Sequence, residues 1–498
     1  MKKDYIKHQY KKIDQQVEYW CLRKKVFLKW LAIIIVISTP ILFTAKNMDT
    51  DTWFLLNSGR YIIENGFTTT EPFSMFQGLE FSFQQWLTDV YFYWIYTKFN
   101  EIGLILVIMI ESMIMLALYY KLCMLVSNRN TGISLIYTIC FSAISAAYMV
   151  VRPQITTYII LILELIILEK YVRTKQVKIL AFLPLLSVAE INLHASMWWM
   201  LFIFMLPYLC ELRFIRIDRI QPDIYPKRPL WIFVIIMILA GFLNPYGLRN
   251  MMYLINSGGS KYAADVIGEM GPINYKSVGL YLLIVLSVIL AVTLSKKKDS
   301  IKLRYLYLYV GCAFMALVNV RSIILFALAG FMIGAYECRK FKATGFEIAR
   351  FVIYIEILIG VIVIAGNFNS SEVFESIKNQ NMKIIKYLDE RCVPNETNLF
   401  TGYNIGAIYE YEGYKCSLDA RMEVFTKKMN GVFNYFDEFV EVSNGKIYYK
   451  EYLKKYNFDY YVLEKEGALY ISLSHDKDFE TLFDTDDYAL LKHNKTNF

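Results

Sequence analysis

The feature that most constrains how this chain can fold is a series of long apolar runs. Hydrophobic residues make up 56% of its 498 residues and charged residues 20%, a balance more apolar than that of a soluble domain. A helix that crosses a bilayer needs about 20 apolar residues, and eleven runs approach that length. The runs cover 27–45, 102–126, 132–150, 155–171, 179–192, 195–211, 229–243, 278–295, 303–320, 322–338 and 350–366. The sequence therefore predicts a mainly α, polytopic α-helical membrane protein with about eleven spans.

Basic residues recur in alternate connections between these runs. Lys and Arg are concentrated in 1–26, 170–178, 213–228, 296–298 and 339–342. By the positive-inside rule these segments face the cytoplasm, which puts the N-terminus inside and the C-terminus outside. The net charge of +8 is explained by this basic collar, which anionic headgroups attract. We therefore expect membrane lipids as partners, and no nucleic acid.

The composition divides the chain into three parts. Residues 1–26 are expected to be a basic cytoplasmic N-terminus, and 27–367 a transmembrane domain with a long first outer loop, 46–101. Residues 368–498 are less apolar and predict a small extracytoplasmic α/β domain. In the first outer loop we expect amphipathic helices over 53–65 and 84–99 that lie on the membrane. In the C-terminal domain we expect helices over 372–391, 433–442 and 446–456 and a strand over 460–463.

Two carboxylates, Asp49 and Asp51, lie just past the end of the first apolar run. A carboxylate at the membrane surface can act as a general base, or it can hold a divalent cation that screens a phosphate. The alternative is that Asp49 caps a helix that starts near Thr52, with Asp51 as a solvated loop residue.

Two arginines stand at the ends of apolar runs. Arg152 precedes Pro153, and Arg321 lies in a short junction between two spans. An interfacial Arg normally has an anionic partner, and a phosphate can accept two hydrogen bonds from its guanidinium. The alternatives are extension of the side chain to the interface and internal pairing with Asp49, Asp51 or Glu71.

Several polar residues in outer turns are further candidates. His194, beside Asn192, can donate to a phosphate or to a polar sugar; the alternative is a packing role. Asn244 and Tyr246 belong to an Asn-Pro-Tyr-Gly stretch that predicts a helix-terminating turn, and a ligand contact is the alternative.

These residues form an ordered pattern that resembles a known family. The pattern consists of Asp49-Thr-Asp51-Thr-Trp53, Gly59-Arg60, Glu71-Pro72-Phe73-Ser74, Gln85-Trp86-Leu87, Arg152-Pro153, Asn192-Leu193-His194, Asn244-Pro245-Tyr246-Gly247, Arg321, Tyr403-Asn404-Ile405-Gly406 and Asp419-Ala420-Arg421. It resembles bacterial membrane proteins related to the GT-C glycosyltransferase superfamily, and the resemblance covers nearly the whole chain.

The resemblance implies a membrane glycosyltransferase that uses a polyprenyl-phosphate-linked sugar. Transfer would occur at the outer face, with inversion, to a cell-envelope glycan, lipid or protein acceptor. Asp51 or Asp49 would be the base, and Arg321, with Arg152, His194 and Asn192, would bind the donor phosphate. The motifs add Glu71, Gln85, Trp86, Asn244 and Tyr246 as candidates. Asp419 and Arg421 would contact the acceptor, the alternative being an internal salt bridge.

The first outer loop departs from the family pattern in its ionisable residues. Phe54 and Leu55 stand where a Trp and a His are common, and Gln84 and Gln85 where a His-Glu pair is common. The eight cysteines show no C-x-x-C spacing, so they indicate no zinc site. No cofactor is certain from the sequence; a divalent cation held by the aspartates is the candidate, and whether it is required stays open. Two other functions also stay open: a polysaccharide polymerase or ligase, and a non-catalytic scaffold or transporter.

Overall fold

The computed structural model describes residues 26–27, 30–44, 48–210, 220–221, 223–273, 280–281, 284–285, 287–288, 301–340 and 372–494. Its longer helices before residue 341 are α1 (Trp30–Phe43), α2 (Thr50–Asn65), α3 (Trp86–Val126), α4 (Thr131–Ser145), α5 (Gln154–Thr174), α6 (Leu183–Leu193), α7 (Trp199–Leu209), α8 (Arg228–Ala240), α9 (Leu303–Val318) and α10 (Ile323–Glu337). Strands β1 (Ile220–Gln221) and β2 (Ile301–Lys302) pair in parallel beside this bundle.

Three helices of the described part are long and apolar enough to cross a membrane, at Trp86–Val126, Thr131–Tyr148 and Val320–Lys340. Four shorter apolar helices accompany them, at Trp30–Phe43, Ala195–Leu209, Arg228–Ala240 and Leu303–Val318. Nine of the eleven apolar runs fall on α1 and α3 to α10. Most of 278–295, all of 350–366 and nearly all of the basic segment 1–26 lie outside the described residues. The mainly helical fold is confirmed, and the count of eleven spans and their orientation stay predictions.

The first loop predicted from the sequence forms two helices that pack against each other. Helix α2 begins three residues earlier than predicted, because the Asp49 carboxylate accepts a hydrogen bond from Thr52 N and caps the helix. Helix α3 begins close to the predicted position and continues into the following apolar run through a break at Asn100, where φ is 52°. The predicted helix 84–99 and the apolar run 102–126 therefore form one helix with a kink, and no separate turn divides them.

The C-terminal unit, residues 372–494, contains a small sheet with helices around it. Its helices are α11 (372–389), α12 (Gly406–Tyr411), α13 (Tyr435–Ser443), α14 (Tyr449–Lys455) and α15 (Ala468–Ser474). Its strands are β3 (Asn398–Phe400), β4 (Lys415–Cys416), β5 (Tyr460–Glu464), β6 (Phe479–Asp484) and β7 (Tyr488–His493). The five strands follow the order β4-β3-β5-β7-β6, with the first three parallel and the rest antiparallel. The three helices and the strand predicted here are confirmed to within a few residues.

Loop 1, residues 66–85, lies between α2 and α3 and contacts the C-terminal unit. Met75 N donates to Cys416 O at 3.0 Å, and Lys415 Nζ donates to Pro72 O at 2.7 Å. On the preceding helix, Arg60 donates to Tyr411 O at 2.6 Å. The C-terminal unit is thus held against α2 and loop 1, close to the helix terminus that carries Asp49 and Asp51.

Candidate active site

Five charged side chains meet where four separate parts of the chain converge. We call Asp49, Asp51, Arg152, Glu269 and Arg321 the charged cluster. Arg152 Nε lies 2.5 Å from Asp49 Oδ2, and its Nη1 lies 3.1 Å from Asp51 Oδ2 and 3.7 Å from Glu269 Oε1. Arg321 Nη2 lies 3.1 Å from the same Glu269 oxygen. The cluster thus holds three carboxylates and two guanidinium groups.

Each member is held in place by a helix terminus or a tight turn. Asp49 caps α2, and Asp51 lies in its first turn, where the helix dipole favours negative charge. Arg152 lies between α4 and α5, and Arg321 in the short turn between α9 and α10. Asn319 Oδ1 accepts a hydrogen bond from Arg321 N at 2.9 Å and so fixes that turn.

Glu269 is the one member that sequence reasoning missed. It lies on a single turn, Gly268–Met270, and the following Gly271 O accepts a hydrogen bond from Val320 N at 3.0 Å. That bond brings Glu269 beside Arg321. The sequence shows Glu269 only as a carboxylate in the long connection after the apolar run 229–243, and it belongs to no recognisable motif.

The two aspartates differ in exposure. The Asp49 side chain is 3% exposed, and Thr52 N and Thr52 Oγ1 both donate to its Oδ1, at 3.1 and 2.9 Å. The Asp51 side chain is 22% exposed. Burial raises the pKa of Asp51 to about 6, although Arg152 acts in the opposite direction. Asp51 is therefore a carboxylate that exchanges a proton close to neutral pH.

The two arginines of the cluster differ in their number of partners. Arg152 is 20% exposed and touches three carboxylates, whereas the 36% exposed Arg321 has Glu269 as its ion-pair partner among the described residues. Burial raises the pKa of Glu269, but the charges of Arg321 and Arg152 outweigh it and leave that pKa below its usual value. Glu269 therefore stays ionised, and the partly exposed Arg321 can still accept a further anion.

His194 is buried at the end of α6 and does not face solvent. Its Nδ1 lies 2.9 Å from Thr157 Oγ1, which donates to Glu190 Oε1 at 2.7 Å. Burial, assisted by the charge of Arg321, lowers the pKa of His194 to about 3, so its imidazole is neutral at pH 7. These contacts match the packing role that was the alternative for His194. They do not support direct binding of a phosphate by this residue.

The other turn candidates also have internal partners. Asn192 Oδ1 accepts from Trp86 Nε1 at 2.7 Å, and its Nδ2 donates to Val188 O and Leu243 O. Asn244 Oδ1 accepts from Tyr246 N at 2.8 Å, which forms the expected turn. Tyr246 Oη donates to Thr68 O at 3.0 Å. Gln85 is 4% exposed. The Tyr246 contact holds loop 1 against the turn at 244–247. A ligand contact by any of the five stays a prediction.

Asp419 and Arg421 form an internal salt bridge with carboxylates from two other elements. Arg421 Nε lies 2.9 Å from Asp419 Oδ2, and its Nη2 lies 3.0 Å from Glu71 Oε1 and 3.4 Å from Glu410 Oε2. All four side chains are at most 5% exposed. The expected acceptor contact is not supported, because an acceptor would have to displace buried ion pairs. Of the internal partners considered as alternatives for Arg152 and Arg321, Asp49 and Asp51 pair with Arg152, whereas Glu71 pairs with Arg421.

The described residues do not fit a divalent cation. Within those ranges, no group of three or more His, Cys, Asp or Glu is arranged to hold a metal ion. The Asp49 and Asp51 carboxylates already share the guanidinium of Arg152. Gln84, where the family pattern has an ionisable residue, accepts a hydrogen bond from Ser196 N at 3.3 Å. Its carboxamide thus packs against the turn after His194.

Comparison with solved structures identifies similar folds. No protein-family model matches the sequence, and no curated protein matches it. The Archaeoglobus fulgidus oligosaccharyltransferase tethered to an acceptor peptide has a TM-score of 0.58 at 10% identity, over 90% of this chain and 69% of that one. Its apo form gives 0.55 at 11% identity, over 89% and 70%. The archaeal oligosaccharyltransferase AglB from the same organism, with an inhibitory peptide and a dolichol-phosphate, gives 0.59 at 10%, over 90% and 70%. At these identities the likeness shows the fold alone: the chain shares the fold of these oligosaccharyltransferases.

Proposed function

We propose that the protein is a membrane glycosyltransferase that moves a sugar from a polyprenyl-phosphate-linked donor to an acceptor hydroxyl at the outer face of the cytoplasmic membrane. The observation that carries this proposal is the charged cluster. It places a carboxylate whose pKa is raised to about 6 near the partly exposed guanidinium of Arg321, whose ion-pair partner among the described residues is Glu269. These are the two groups that sugar transfer from a lipid phosphate requires.

The similar structures support the class of donor and reaction. They are oligosaccharyltransferases, and one of them is described with a dolichol-phosphate and another with an acceptor peptide. We infer from this likeness a lipid-linked glycan donor for the present chain. The acceptor is a glycan, lipid or protein of the cell envelope.

We assign the role of general base to Asp51 rather than to Asp49. Asp49 is nearly inaccessible, and all its contacts position other groups: it caps α2 and orients Arg152. Asp51 is reachable from solvent, and its pKa of about 6 makes it a stronger base than an ordinary aspartate. Asp51 takes the proton of the acceptor hydroxyl as that oxygen attacks the anomeric carbon.

Arg321 and Arg152 stabilise the departing lipid phosphate. In a direct displacement the bond from the anomeric carbon to the phosphate oxygen breaks, and negative charge accumulates on that oxygen. A guanidinium placed in advance stabilises this charge without reorganisation. Because attack and departure occur on opposite faces of the sugar, the anomeric configuration inverts.

The test is transfer by membranes that contain Asp51→Asn. Undecaprenyl-phosphate carrying glucose, galactose, mannose or N-acetylglucosamine would be supplied, and labelled product would be counted. We expect the substitution to lower transfer by about 100-fold, because general base catalysis contributes at least that much. Asp265→Asn is the matched control, since Asp265 is an exposed carboxylate near Glu269 in sequence. Full transfer by a correctly inserted Asp51→Asn protein would reject the assignment, and a scaffold or transporter would show no transfer in any variant.

A further inference from the structure

The sheet of the C-terminal unit has a crevice between the ends of β3 and β5. The chain leaves β3 through α12 towards β4 on one side, and leaves β5 through α15 towards β6 and β7 on the other. In open sheets with parallel strands, ligands bind outside the carboxyl ends of the strands at this point, where the connections diverge. A cavity of about 210 Å³ lies here, lined by residues 402–405 after β3, by Glu464 at the end of β5, and by Gly467, Leu469 and Tyr470 beyond it.

The lining of this crevice has aromatic faces and a few polar groups. Phe400, Phe439, Tyr403 and Tyr470 supply rings, while Asn404, Ser443 and Glu464 supply polar atoms. The lining contains one carboxylate and no Lys or Arg. A phosphate or another anion is therefore not favoured there. An uncharged molecule with an apolar face and several hydroxyl groups matches the lining, since the rings can cover the face while the polar groups accept and donate hydrogen bonds.

Tyr403 connects this crevice to the charged cluster. It lines the crevice, and it also packs against the apolar cluster that contains Ile267, as does Met270, the residue after Glu269. Burial raises the pKa of the Tyr403 hydroxyl, and the charge of Asp51 raises it further. A ligand in the crevice would therefore lie on the same side of the C-terminal unit as the proposed base.

We propose that this crevice, between the ends of β3 and β5, holds a neutral sugar ring of the acceptor. The proposal rests on the proposed function, because it assigns the acceptor of that transfer to the saccharide class. It replaces Asp419 and Arg421 as the acceptor contacts, since their side chains are buried in an internal salt bridge. Glu464 and Asn404 bind hydroxyl groups of the ring, and the aromatic side chains cover its face.

The first measurement is sugar binding by the full-length protein, which separates this proposal from the transfer reaction. The protein would be purified in lauryldimethylamine oxide, because maltoside and glucoside detergents carry sugar headgroups that would compete. Saturation-transfer difference NMR with methyl glucoside, methyl galactoside and N-acetylglucosamine reports contact without any donor. We expect saturation of the ring protons of at least one of these sugars.

Two variants and two matched controls place the signal in the crevice. A Cβ on Gly402 would meet no atom within 4 Å, so Gly402→Leu adds a side chain to the lining of the crevice at a position where the Cβ itself meets no clash. Its control is Gly258→Leu, where a Cβ also meets nothing and which lies outside the crevice. Glu464→Gln removes the one carboxylate of the lining, and Glu480→Gln on the exposed face of β6 is its control. We expect Gly402→Leu to abolish the signal and Glu464→Gln to weaken binding about tenfold, while both controls keep wild-type binding.

The outcomes separate the crevice from the reaction. Absence of sugar binding to the wild-type protein, or equal binding by Gly402→Leu and wild type, would overturn the crevice assignment even if Asp51→Asn abolishes transfer. Competition by a Ser/Thr peptide or by glycerol phosphate in place of sugar would overturn it as well. Sugar binding that survives in Asp51→Asn but is lost in Gly402→Leu supports the crevice, whether or not transfer is detected with the donors supplied.

Discussion

Asp49 and Asp51 are two residues apart, but their carboxylates have different surroundings. The Asp49 side chain turns back to cap α2 and is held by Arg152, while the Asp51 side chain in the first turn also pairs with Arg152 but stays 22% exposed. Burial of Asp51 is not fully offset by the positive charge beside it, so its pKa rises to about 6. The residue that is more exposed is thus the one that can exchange a proton with an acceptor.

The first prediction at this scale concerns the dependence of transfer on pH. The base must be ionised to accept a proton, and its pKa is about 6. Transfer should therefore fall as the pH is lowered through 6, and kcat/KM at pH 5 should be about tenfold below its value at pH 7. A profile that stays flat between those two values would be inconsistent with Asp51 as the base.

A second prediction concerns Arg152. Its positive charge opposes the rise in the pKa of Asp51, so Arg152→Gln should raise that pKa above 6 and move the acidic limb of the profile to higher pH. Residual kcat/KM would be measured across the same range. Arg249→Gln is the matched control, because Arg249 pairs with the exposed Glu80 away from the cluster. An acidic limb that does not move in Arg152→Gln would contradict the electrostatic explanation.

At the scale of elements, the site depends on how closely α2 lies against α3. Gly59 on α2 has no room for a side chain: a Cβ there would lie 2.1 Å from Asp89 O and 2.7 Å from Tyr93 Cβ. The close approach fixes the position of α2, whose first turn carries Asp51. Loop 1 joins these two helices.

We predict that Gly59→Ala separates the two helices. The added methyl group should lower the free energy of unfolding by about 1–3 kcal/mol, as overpacking of a close contact does. The midpoint of thermal unfolding of the purified protein measures this change. Gly258→Ala provides the comparison, since a Cβ there meets nothing within 4 Å. If the two substitutions lower the midpoint equally, the close approach at Gly59 is not what stabilises the pair.

At the scale of the whole molecule, Arg421 joins the C-terminal unit to loop 1. Its guanidinium is surrounded by Asp419, Glu410 and Glu71, of which the last belongs to loop 1. Burial raises the pKa of Glu410 well above its usual value, and so does the neighbouring charge of Asp419. The pKa of Asp419 is lowered despite burial, because Arg421 lies against it. The positive charge of Arg421 thus compensates this buried group of carboxylates. The contact between the C-terminal unit and loop 1 depends on that compensation.

Removal of that charge should destabilise the whole protein. Arg421→Leu leaves buried carboxylates without their ion-pair partner, which costs about 3–5 kcal/mol. Thermal unfolding of the full-length protein should show a large decrease in midpoint. Arg391→Leu should change it little, because Arg391 forms an exposed pair with Glu390. Similar midpoints for the Arg421 variant and the wild-type protein would show that the ion pairs do not hold the two parts together.

Sequence reasoning identified four of the five residues of the charged cluster. Asp49, Asp51, Arg152 and Arg321 are conspicuous because charged residues at the ends of apolar runs are costly and rarely incidental. Glu269 was missed because it lies in a polar connection, where a carboxylate is unremarkable. The roles proposed for Asp419 and Arg421 changed for a related reason, since their burial depends on loop 1, more than 300 residues earlier in the chain.

The sequence by itself determined which segments are helices and which charged residues lie at their ends. Those properties depend on the length and hydrophobicity of local segments, which are read directly from consecutive residues. Only the tertiary structure decided which charges meet, which aspartate stays accessible, and where a crevice opens between β3 and β5. Burial and ion pairing depend on contacts between distant segments, and those contacts set the pKa of Asp51. They also distinguish Asp51, the proposed base, from Asp49, which caps α2 and holds Arg152.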